Sequence, residues 1–123
     1  MLQDLYTVLP AQDLERARGF YHDKLGMEPE GTLDGMLMYR VGPAGRFALY
    51  ETSNAGTAQN TQMCLISDDL AADMARLRGA GLAFEEYDFP GMKTVDGVLD
   101  SGESRTAWFR DSEGNFVCLS QLA

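Results

Sequence analysis

The chain has 123 residues, 45% of them hydrophobic, with 19 acidic side chains against 10 basic ones and a formal net charge of −9. That apolar content can fill one core, while the acidic balance lacks the basic footprint that a phosphate backbone attracts, so nucleic acid is not an expected partner. There is no run of about 18 apolar residues for a membrane span, and Met1-Leu2-Gln3-Asp4-Leu5-Tyr6 has neither the basic nor the long apolar region of a secretory signal, so no membrane partner and a cytoplasmic location are expected.

In chain order, Asp4 to Pro10 alternates and is rich in Leu, Tyr, Thr and Val, which predicts a strand. A helix follows, with Asp13 as N-cap, Glu15 in the first turn, Leu14, Ala17, Tyr21 and Leu25 on one face, and Gly26 as its stop. A short strand is expected at Glu30 to Leu33. Two longer ones, Met36 to Val41 and Arg46 to Thr52, flank the turn Gly42-Pro43-Ala44-Gly45. Ser53 to Asn60 is polar and small and reads as a linker.

The order then repeats. Thr61 to Ser67 predicts a strand, and Asp68 or Asp69 caps a helix with Leu70, Met74 and Leu77 as its stripe and Gly79 and Gly81 at its end. Leu82 to Tyr87 reads as a short strand. Strand character stops between Glu85 and Gly97, where Pro90-Gly91 makes a turn. Thr106 to Leu119 closes the chain as a hairpin around Asp111-Ser112-Glu113-Gly114-Asn115, whose Gly-Asn supplies positive backbone angles. Asp13-Leu14 and Asp69-Leu70 lie 56 positions apart, and the same offset pairs Tyr6 with Gln62. Two βαβββ modules, residues 1–60 and 61–123, account for the chain as one structural domain. The two cysteines, Cys64 and Cys118, lack metal-like clustering and read as free thiols.

Asp13-Leu14-Glu15-Arg16-Ala17 with Phe20-Tyr21 and Leu25-Gly26, followed in the second half by Asp111-Ser112-Glu113-Gly114-Asn115, resembles the vicinal oxygen chelate superfamily. That superfamily includes glyoxalases, extradiol dioxygenases, fosfomycin-resistance enzymes and bleomycin-resistance proteins. The resemblance implies an α+β fold in which two tandem βαβββ modules form a curved, cup-shaped mixed sheet, with helices on the convex face and a ligand in the concave one. It also implies a homodimer. Alternation in the last strand turns Val117 and Leu119 to the helices, and Phe116, Cys118 and Ser120 to the cup.

Family members that use a metal hold it at four strand positions with His, Gln or Glu, and the metal stabilises an enediolate or related anion. Here those positions fall on Tyr6, Gln62, Cys118 and either Leu49 or, with the register moved by two, Glu51. Such a set is poor for a divalent ion, so no metal or other cofactor is expected. His22, the sole histidine, lies on the first helix and reads as a surface residue. The expected function is metal-independent binding of a small amphipathic or aromatic molecule, with Tyr6, Trp108 and Phe116 as walls, Gln62 as a polar contact, and Cys64 and Cys118 on one wall. The loop from Glu85 to Gly97, with Lys93, is a candidate cover. The alternative is a lyase, isomerase or dioxygenase of the glyoxalase kind, with Glu51 as base or ligand and Cys118 or Gln62 completing the site; no catalytic residue is assigned.

Overall fold

Asp13 starts the first helix as its sequence position predicts: its backbone is extended, φ −127°, and its carboxylate accepts the Arg16 N–H at 3.0 Å. The computed structural model describes residues 1–123, which divide into two units, residues 1–58 with 112–115, and residues 59–111 with 116–123.

The first unit holds β1 (Thr7–Ala11), α1 (Leu14–Leu25), β2 (Gly31–Leu33), β3 (Met36–Val41) and β4 (Gly45–Glu51). Its sheet runs β1-β4-β3-β2, with β1 parallel to β4 and the other pairs antiparallel. Gly26 closes α1 in the left-handed conformation, φ 67°, and its N–H reaches the His22 carbonyl at 3.0 Å. The buried face of α1 centres on Ala17 and Tyr21, and the Tyr21 ring lies 5.4 Å from Phe47 and 5.8 Å from Tyr39. Tyr39 and Phe47 stack at 4.7 Å across β3 and β4. Burying Phe47 alone contributes about 1.5–3 kcal/mol.

The first strand begins at Thr7 rather than Asp4. The reason is that Asp4 is drawn into an ion pair with Arg46 and accepts the Leu5 N–H, so the chain joins β4 only from Thr7, opposite Phe47.

The second unit holds β5 (Thr61–Ile66), α2 (Leu70–Gly79), β6 (Asp88–Phe89), β7 (Met92–Lys93), β8 (Leu99–Asp100), β9 (Ser104–Arg110) and β10 (Phe116–Leu122). Its sheet, β5-β10-β9-β8, repeats the pattern of the first, with first and last strands of the module parallel neighbours. Asp69 caps α2 by accepting the Ala72 N–H at 3.1 Å, and Gln121 satisfies the Leu70 N–H at 2.9 Å. Leu70, Met74 and Leu77 are the buried side chains of α2, which packs on β10.

Two sequence expectations fail in this unit. Leu82 to Tyr87 forms no strand, although the Glu85 N–H donates to the Trp108 carbonyl at 2.8 Å. Its alternation records packing, with Leu82 buried and Phe84 edge-on to Phe109 at 6.2 Å, and β8 takes the sheet position instead. Conversely, strand pairing resumes inside Glu85 to Gly97, because Pro90-Gly91, with Gly91 at φ 81°, folds β6 back onto β7.

Residues 112–115, the turn between β9 and β10, pack as part of the first unit. Glu113 accepts Arg16 Nε at 2.9 Å, Arg16 Nη2 at 3.0 Å and the Asp13 N–H at 2.9 Å, while Asn115 Nδ2 donates to the Pro10 carbonyl at 2.9 Å. The turn therefore meets the N-terminus of α1, where a carboxylate also complements the helix dipole.

Candidate functional site

Sheet register decides which side chains share a face, because neighbouring residues of a strand alternate and register partners lie on the same side. In the second unit, Met63, Leu65, Ala107, Phe109, Val117 and Leu119 form the face that carries α2. The opposite face holds Cys64, Cys118 and Trp108 in one row across β5, β10 and β9, with Thr106, Ser120 and Ile66 in the next. Phe116 and Arg110 make a third row, with the guanidinium 4.4 Å above the Phe116 ring.

This helix-free face has an aromatic part and a hydroxyl part. Trp108 is half-buried, its indole N–H donates to Thr61 Oγ1 at 3.0 Å, and Tyr87 meets it edge-on at 5.8 Å. One row away, the Thr106 and Ser120 hydroxyls are 2.9 Å apart, and Ser104 Oγ lies 3.5 Å from Thr106 Oγ1. Cys118 is 5% exposed whereas Cys64 is open to solvent. Burial, reinforced by the neighbouring Cys64 thiol, pushes the Cys118 thiol up to about 12, so it stays protonated at neutral pH.

Gln62, expected as a polar contact, sits at an irregularity of the β5–β10 ladder. The β5–β10 register shifts between Phe116 and Val117, leaving Gln62 as the extra residue of a bulge, and its Oε1 accepts the Phe116 N–H at 3.0 Å. The side chain thus replaces a missing ladder bond.

In the first unit the register corrects the assignment of Leu49 or Glu51. Leu49 pairs with Leu9 and Leu37, all three buried, on the face that carries α1, and Glu51 has the same parity. Moving the register by two keeps a residue on the same face, so neither choice reaches the other side. Ala48 pairs with Val8 as Cys118 pairs with Cys64, which makes Ala48 the first-half counterpart of Cys118. Glu51 instead borders an open hollow of about 430 Å³ with Asp34, Gly35, Met36 and Tyr50. Tyr6 precedes β1, has the parity of Val8 and Pro10, and is 37% exposed.

A second hollow, about 380 Å³, lies beside Asp100, Ser104, Arg105 and Gln121; neither hollow is lined by Trp108 or Cys118. His22 is exposed on α1 beside Asp23 at 2.9 Å, and the hydrogen bond to Asp23, with the charge of Glu28, raises its pKa. Lys93 is exposed on β7.

The resemblance assigns metal-ligand positions to Tyr6, Gln62 and Cys118, and strand pairing puts Ala48 where Leu49 or Glu51 is expected. Ala48 has no donor atom, and Gln62 Oε1 already accepts a backbone N–H. No group of three or more His, Cys, Asp or Glu side chains lies close enough to hold a metal. This donor set does not suit a divalent cation.

A family model described as the Glyoxalase/Bleomycin resistance protein/Dioxygenase superfamily matches residues 5–119. Among solved structures, the chain is similar to TnmS3, an antibiotic binding protein from Streptomyces sp. CB03234, with 24% identity, 100% of this chain and 98% of that one covered, and a TM-score of 0.75. UcmS2 matches at 19% identity over 98% of both chains, again with a TM-score of 0.75. Lactoylglutathione lyase from Agrobacterium tumefaciens matches at 21% identity, over 98% of this chain and 94% of that one, with a TM-score of 0.69. No protein of curated function matches the chain. At these identities the structural likeness establishes the fold.

Proposed function

The chain belongs to the Glyoxalase/Bleomycin resistance protein/Dioxygenase superfamily, and from that premise we propose that it binds a small amphipathic molecule with an aromatic part, without a metal ion. The observation that carries this reading is the division of the helix-free face of the second unit. Trp108, with Tyr87 at its edge, offers a flat apolar surface, and the Thr106–Ser120 hydroxyl pair offers hydrogen bonds one row away. A ring stacked on Trp108 gains about 0.5–1.5 kcal/mol beyond its buried area. The poverty of metal donors and the likeness to an antibiotic-binding protein support the same reading. A homodimer, common in the family, belongs to this proposal too.

Trp108 is the only tryptophan, so its fluorescence reports on this face directly. Chelator-treated protein titrated with a panel of aromatic antibiotics, bleomycin included, should show saturable quenching by at least one member, lost in Trp108→Leu. One tightly held divalent ion per purified chain, together with metal-dependent turnover of lactoylglutathione, would replace binding by the lyase alternative. Sedimentation as a monomer at micromolar concentration would remove the dimer.

A further inference from the structure

Cys64 and Cys118 are register partners on adjacent parallel strands and lie on the same face of the sheet. Both are free thiols, one exposed and one buried. We propose that they form a thiol–disulfide exchange site, in which Cys64 takes up a small-molecule disulfide such as glutathione disulfide and Cys118 resolves the adduct into a bond between β5 and β10.

Spacing permits the bond and makes it labile. Adjacent strands run about 4.8 Å apart, within the Cα separation of about 4.4–6.8 Å that disulfides span. In-register parallel side chains keep their Cβ atoms near that same spacing, just outside the usual range of about 3.5–4.5 Å, so closure strains the bond and favours its reduction. The bond is therefore reversible.

Access sets the order of events. The Cys64 thiolate attacks one sulfur of glutathione disulfide, forms Cys64–S–S–glutathione and expels the first glutathione thiolate, which takes a proton from water. Cys118 then loses its proton to solvent and attacks Cys64 Sγ. The Cys64–glutathione bond breaks, the Cys64–Cys118 bond forms, and the second glutathione leaves as its thiol. The protein loses two electrons and two protons, and one glutathione disulfide becomes two glutathione molecules. Burial keeps Cys118 from starting the exchange, and its place as the register partner of Cys64 makes it the thiol that meets the mixed disulfide.

The test incubates the native chain in glutathione buffers from fully reduced to fully oxidised, quenches with acid, and reads intact mass and linked peptides. The wild type should lose two hydrogens, yield a Cys64–Cys118 linked peptide, and revert fully with dithiothreitol. Cys118→Ala should stop at one glutathione on Cys64, and Cys64→Ser should remain unmodified. Trp108, the register neighbour of Cys118, should lose fluorescence in step with closure. A stable glutathione adduct on the wild type, a chain-to-chain disulfide, or an unchanged mass in fully oxidised buffer would each overturn the proposal. Should Cys118→Ala fail to fold, the wild-type linked peptide decides the matter.

Discussion

Glu113→Gln removes one negative charge from a side chain that is 0% exposed while leaving its shape almost unchanged. Burial by itself would raise the Glu113 pKa, but the hydrogen bonds from Arg16, the Asp13 N–H and the Ser112 hydroxyl, with the charge of Arg16, hold it at about 2 against an ordinary 4.5. At about 1.4 kcal/mol per unit, that depression corresponds to roughly 3 kcal/mol of native-state stability at neutral pH. Arg16 is half exposed, so water competes for its guanidinium, and about 2 kcal/mol is the expected cost of the substitution. The folded pKa lies below the unfolded one, so the contribution is complete above about pH 4.5 and fades as pH falls towards about 2. Urea midpoints followed by circular dichroism from about pH 7 down to about pH 2.5 would measure it. Glu113→Gln should be less stable than wild type by about 2 kcal/mol at the neutral end, with the gap shrinking steadily below about pH 4.5. A gap that stays constant across the range, or none at neutral pH, would refute the assignment of this carboxylate as the charged anchor of α1.

The buried Tyr39 hydroxyl has no hydrogen-bond partner, so Tyr39→Phe should be neutral or stabilising by about 1 kcal/mol in urea unfolding; a clear loss of stability would reveal a missed partner. Gly114 sits at φ 86°, and a Cβ there would lie 3.1 Å from Gly56 Cα, so Gly114→Ala should cost about 2 kcal/mol or more, read as a lowered thermal midpoint. Asp69→Ala should cost about 1 kcal/mol by removing the cap of α2, and Asp69→Asn should restore most of it; equal losses in the two variants would mean that the cap is not the cause.

Elements whose signals are local were legible in the sequence. Asp13, Asp69 and Gly26 act as caps within one helical turn, and Gly114 supplies a backbone angle that other residues avoid, so each announces its element without tertiary context. The faces of β10 were legible for the same reason: a strand alternates whatever surrounds it. Pairing was less legible, because it depends on a distant partner. Leu82 and Phe84 alternate as a strand does, yet their alternation is satisfied by packing rather than by a ladder. The bulge at Gln62 exists only because β10 lies beside β5, and nothing within Thr61 to Ile66 marks it. Glu113 looks like ordinary turn composition; its bond to Arg16 joins positions 97 apart.

The error at Leu49 and Glu51 shows why register carries the functional reading. An offset taken between helix caps suits β1 and β5, where few residues separate strand from helix, but β4 and β10 follow connections of different length. One position of drift there exchanges a residue on the helix side for its neighbour on the other. Hydrogen-bonded pairing removes the drift, because Val8–Ala48 and Cys64–Cys118 are equivalent pairs. With the correct pair, the two halves differ in kind: one presents a valine and an alanine, the other two thiols beside a tryptophan. A carboxylate at position 51 could be invoked for metal chemistry, whereas a methyl group at position 48 cannot. The helix-free face of the second half presents an aromatic surface, hydroxyls and two neighbouring thiols.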